Sequence, residues 1–83
     1  MNWKDIITDP DEVLVFMALD GFYDTWRTIG GIARQTGLSE DRVFEILKKY
    51  HSALISMSDV PSLSGSPLFG LFEKVGAPIA ADL

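Results

Sequence analysis

Apolar residues recur every three to four positions along most of this chain, interrupted by glycine, proline and short polar residues. That rhythm predicts a mainly helical fold. It is clearest between Thr28 and His51. Ile29 and Ile32 form one stripe, and Val43, Ile46, Leu47 and Tyr50 form a second. Between the stripes, Ala33 is small enough for another helix to pack closely over it. Gly37 can take the left-handed conformation that ends a helix, Leu38 is an apolar plug, and Ser39 is a good N-cap. Two short helices joined by a tight turn are expected here, a helix-turn-helix unit.

A helix also begins at Asp9-Pro10-Asp11-Glu12. Asp9 caps, Pro10 takes the first helical position, and Glu12 is placed three residues on to return the hydrogen bond. Capping explains these acids better than a metal cluster does. The helix should run to Leu19 or Asp20 and stop at Gly21, with Val13, Phe16, Met17 and Leu14 toward the core. Before it, Trp3, Ile6 and Ile7 interrupt a polar arm over residues 1–8. They make either one helical turn packed on the domain or a surface for a partner. After it, residues 22–27 are aromatic and β-prone. Thr28 is a second N-cap. Gly30-Gly31 costs a helix about 1 kcal/mol per residue relative to alanine. The pair fits close packing against Trp26 or the first helix, or alternatively backbone approach by a ligand or phosphate.

Beyond His51 the period shortens. Residues 52–60 alternate in part, Ile55 and Met57 on one face and Ser56 and Ser58 on the other; residues 61–67 (PSLSGSP) form a loop. Residues 68–75 return as a second strand with Phe69 and Leu71 inside. Leu68 and Phe72 face outward as an apolar spot suited to a dimer or partner contact. Gly76 to Pro78 ends the strand, leaving 77–83 as a flexible tail. The fold class is α+β: three helices and a two- to three-stranded sheet, with one domain over residues 9–76.

Eighty-three residues, 47% of them hydrophobic, suffice for one core. The absence of cysteine removes disulfides and thiolate metal sites. No apolar run approaches the roughly 18–20 residues of a membrane span, and the acid-rich start lacks the apolar segment of a signal peptide. A single soluble, cytoplasmic domain without a membrane role is expected.

The segment TIGGIARQTGLSEDRVFEILKKY resembles the core of winged helix-turn-helix domains. The matching positions are Ile32-Ala33, Thr36-Gly37-Leu38-Ser39, Val43 and Ile46-Leu47. ALISMSDV, the Pro/Ser/Gly loop and LFGLFEKV resemble the family's two-stranded wing, so the likeness covers roughly residues 10–75. It implies that Thr25 to Arg27 is a short strand pairing with the wing. It also implies a nucleic-acid binder, although many such domains serve only as protein-docking or regulatory modules.

Chemistry narrows this further. The chain has one histidine, His51, which the end of the second helix of the unit accounts for. No base stands beside any serine, and metal-ligand spacing, Rossmann glycines and a phosphate loop are all missing. Binding without catalysis, metal or cofactor is expected. The net charge of −5 disfavours DNA, yet residues 25–51 hold five of the seven basic residues against three acids. The DNA-binding candidates are Arg34, Arg42, Phe44, Lys48 and Lys49, which could grip phosphates along a line. The partner would be double-stranded DNA, bound as a homodimer, because one module of this size buries too little for tight specific binding. Two features depart from the family's DNA readers: the helix that would enter the groove carries Glu40, Asp41 and Glu45, and the wing loop has no basic residue. The first reading is a DNA-binding transcription regulator. The alternative is a protein-docking or regulatory adapter using Trp3, Phe44, Leu68 and Phe72.

Overall fold

Three side-chain caps set where the helices begin. In the computed structural model, which describes residues 3–21 and 26–75, the Asp9 carboxylate accepts from the backbone N–H of Asp11 at 3.0 Å and of Glu12 at 3.2 Å. This opens α1, Pro10–Leu19. Thr28 Oγ1 accepts from Gly31 N–H at 3.0 Å to open α2, Ile29–Thr36. Ser39 Oγ accepts from Arg42 N–H at 3.1 Å to open α3, Glu40–Tyr50. Each cap satisfies an amide that a helix start leaves without a partner. Gly37 ends α2 in the left-handed region at φ 80°, its N–H donating to the Ala33 carbonyl at 2.8 Å.

The chain then forms β1, Ile55–Met57, and β2, Phe69–Leu71, which pair antiparallel with Ile55 opposite Leu71 and Met57 opposite Phe69. Arg27 and Phe69 exchange both backbone hydrogen bonds at 2.8 Å, a single rung before α2. The fold is therefore α+β: three helices and a two-stranded antiparallel sheet, with short helical turns at Trp3–Asp5 and at α4, Phe72–Val75. The core lies where α1, α2 and α3 meet the sheet, with Phe16, Leu19, Ile32, Leu47, Ile55 and Leu71 fully enclosed.

Several expectations change. Trp3 is core, not a partner contact: it packs 5.5 Å from Phe16 between ring centroids and its indole N–H reaches Asp20 at 3.3 Å. Ile7 is buried with it, while Ile6 is exposed. On α1 the inward residues are Glu12, Val15, Phe16, Ala18 and Leu19; Leu14 and Met17, expected inside, face out. α1 is apolar nearly all round, so its period could not choose a face. Glu12 does not return the cap's hydrogen bond, because it lies one turn before the buried Val15 and Phe16 and follows them inward. The second strand ends at Leu71, where α4 begins, so Leu68 and Phe72 are half-buried instead of forming an exposed apolar spot. Ser56, on the face opposite Ile55 and Met57, is buried as well. The strand expected at Thr25–Arg27 reduces to Arg27 among the described residues, which also exclude Thr25 and the tail at 77–83.

Candidate interaction surface

Two flanks of α3 separate the basic residues that the sequence groups together. One flank faces α1. There Arg42 donates from Nε to Asp11 Oδ2 at 3.1 Å and from Nη1 to Glu45 Oε1 at 2.6 Å, with Asp9 at 3.7 Å. One spiral further, Lys49 Nζ donates to Glu12 Oε2 at 2.8 Å and Tyr50 Oη donates to Glu12 Oε1 at 2.6 Å. The Glu12 side chain is only 7% exposed. Burial alone would raise its carboxyl pKa, but the bonds from Lys49 and Tyr50 outweigh burial and hold it below the ordinary 4.5. On the other side, the Glu12 bond raises Lys49, while burial and then the Glu12 bond raise Tyr50. Tyr50 also meets Phe16 edge-on at 5.2 Å. Arg42 and Lys49 are thus braces between α3 and α1. Acids on α1 and Glu45 hold both side chains toward α1, so they do not form the single line with Lys48 that the sequence suggested.

The opposite flank faces the hairpin. Phe44, Lys48 and His51 follow one another at intervals of four and three, and with Met57 and Phe69 they line a depression of about 160 Å³. Phe69 is the buried floor; Phe44 remains 50% exposed and Met57 45% exposed. Met57 shares its side of β1 with Ile55 but sits at the register opposite Phe69, at the depression. Lys48 forms no ion pair among the described residues. His51 is the C-cap of α3 in extended geometry, its Nδ1 3.5 Å from Ser52 Oγ.

Arg34 stands apart from both flanks. With Thr28, Gly30, Glu40, Ser64 and Ser66 it lines a polar cleft of about 470 Å³ beside the first turn of α2 and the wing loop. An added Cβ at Gly30 or Gly31 would meet neither Trp26 nor α1 among its nearest atoms. A Cβ on Gly31 would sit 3.1 Å from Thr28 Oγ1, crowding the cap, and one on Gly30 would meet Arg34 and Glu40 at ordinary contact distance.

Among the described residues no cluster of acids and histidine could hold a metal ion, and no helix is long and apolar enough to cross a membrane. Comparison with protein-family models, curated proteins and solved structures found no match. Of the candidates named from sequence, the structure brings Phe44 and Lys48 together, puts Arg34 at a separate cleft, turns Arg42 and Lys49 toward α1, and encloses Trp3. Sequence reasoning missed His51 and Met57 as surface residues. The spacing of Phe44, Lys48 and His51 was a signal for the first; only the hairpin register brings in the second.

Proposed function

We propose that this chain is a winged helix-turn-helix module that docks on another protein, using the flank of α3 that faces the hairpin. The winged-helix reading is supported by the order of elements. One helix, a single rung at Arg27, the capped α2–turn–α3 unit and an antiparallel hairpin follow in the family's sequence, and β2 lies between Arg27 and β1. The observation that carries docking over DNA binding is the division of labour on α3. Arg42 and Lys49 are occupied within the fold, while Phe44 and Met57 stay open around an apolar depression. Exposed aromatic and methionine side chains around a pocket are what protein interfaces use as anchors.

DNA remains the second reading on the strength of Arg34 and Lys48, which form no ion pair among the described residues. A duplex of mixed sequence, titrated by fluorescence anisotropy, separates the two. Docking predicts no salt-dependent binding in the nonspecific range of about 10⁻⁴ to 10⁻⁶ M. Two phosphate contacts would instead lose affinity about tenfold between about 50 and 200 mM salt. Such a loss, abolished in the Arg34→Ala/Lys48→Ala double variant, would overturn the docking assignment.

A further inference from the structure

The depression beside α3 is asymmetric in charge, and that asymmetry describes its occupant. At its floor and walls are Phe44, Met57 and Phe69, which exclude a charged or strongly hydrated group from the centre. At one end stand Lys48 and His51. The nearest basic neighbour in sequence, Lys49, already has Glu12 as its partner, so the charge available at this end is that of Lys48. At the other end, one turn before Phe44 on the same helix, Asp41 is exposed. The surface thus runs from acid through apolar to base along roughly three turns of α3. It stands out on a chain of net charge −5, where Arg42, Lys49 and Lys74 are each matched by an acid.

We infer that this surface takes an amphipathic partner segment that inserts one apolar side chain between Phe44 and Met57 and sets carboxylates against Lys48 and His51. The inference rests on the docking assignment and deepens it by naming the partner's chemistry. A volume of about 160 Å³ suits a single leucine- or phenylalanine-sized anchor and no more. Carboxylates on the flank toward Asp41 would be repelled, so the acids of the partner lie on one side of its anchor. Complementary charge of this kind fixes orientation and partner choice more than total affinity.

The test uses the isotope-labelled full chain and synthetic helical peptides followed by NMR. Each peptide carries one leucine anchor, with glutamates on one flank in the first peptide and lysines there in the second. The expected result is that the glutamate peptide moves the resonances of Phe44, Lys48, His51 and Met57 and binds at least about fivefold more tightly than the lysine peptide. Lys48→Glu should reverse that preference, and Phe44→Ala should weaken both peptides about tenfold or more. Both side chains lie on the surface, and the spectrum of each free variant reports directly whether its fold is intact. Equal binding of the two peptides at this face would remove the acidic preference while leaving docking in place. Shifts at these residues on raising the concentration of the chain alone would assign the face to a second copy and overturn the inference. No shift there with either peptide would overturn it too, and DNA-induced shifts at Arg34 and Lys48 would remove the docking assignment itself.

Discussion

Replacing Glu12 by glutamine removes one charge from a nearly enclosed site and changes little else in shape. In the native fold the carboxylate accepts from Lys49 at 2.8 Å and from Tyr50 at 2.6 Å, joining α1 to α3. Hydrogen bonds to a charged group contribute about 1.5–3 kcal/mol and neutral ones about 0.5–1.5, so neutralisation costs about 1 kcal/mol per bond. The Lys49 side chain is 61% exposed, so solvent screening makes its bond the weaker of the two. Glu12→Gln should therefore cost about 1.5 kcal/mol in urea denaturation at neutral pH, or about 6–12 °C in Tm. That is a large part of the roughly 4–12 kcal/mol expected for a domain this size. The effect has a pH signature. The Glu12 pKa is lower folded than unfolded, so its stabilisation is complete above the ordinary 4.5 and disappears as pH falls through the folded value. The gap between wild type and Glu12→Gln should accordingly narrow in acid. A cost under about 0.5 kcal/mol, or a gap unchanged at about pH 3, would show that solvent satisfies the carboxylate and refute the brace.

The same reasoning gives other expectations. Lys49→Met should lower the denaturation midpoint, because it leaves the Glu12 carboxylate to Tyr50 alone, whereas Lys48→Met should leave it nearly unchanged; paired denaturation curves compare these neighbours. Lys49 and Tyr50 both have raised pKa values in the fold, so the stability they lend holds at neutral pH. It should fall as pH rises past their ordinary 10.5 and 10.0 toward the folded values, seen as a drop in Tm. Trp3→Ala should cost about 3–5 kcal/mol by leaving a cavity against Phe16, where a partner-contact residue would cost almost nothing. Gly37→Ala should cost about 1 kcal/mol from backbone strain alone, since no atom lies within 4 Å of the added Cβ; denaturation midpoints would register it.

The sequence by itself determined the punctuation of this fold. Asp9, Thr28 and Ser39 cap amides two or three residues away, and Gly37 turns the chain at its own φ. Interactions that close within one turn are legible because every partner stands next to the residue being read. The stripes of α2 and α3 were legible for a related reason: polar residues mark their outer sides, so Ile32, Val43, Ile46 and Leu47 had one way to face. α1 offered no such contrast, and only packing decided that Phe16 turns inward and Met17 outward. The candidate surface divided in the same way. Phe44 could be read as exposed from its place opposite a buried stripe, but the fates of Arg42 and Lys49 depend on acids 31 and 37 residues earlier in the chain. No local pattern encodes which charges across that distance will meet. The tertiary structure brings α1 beside α3, satisfies two of the basic side chains there, and leaves Phe44 and Lys48 open beside the hairpin.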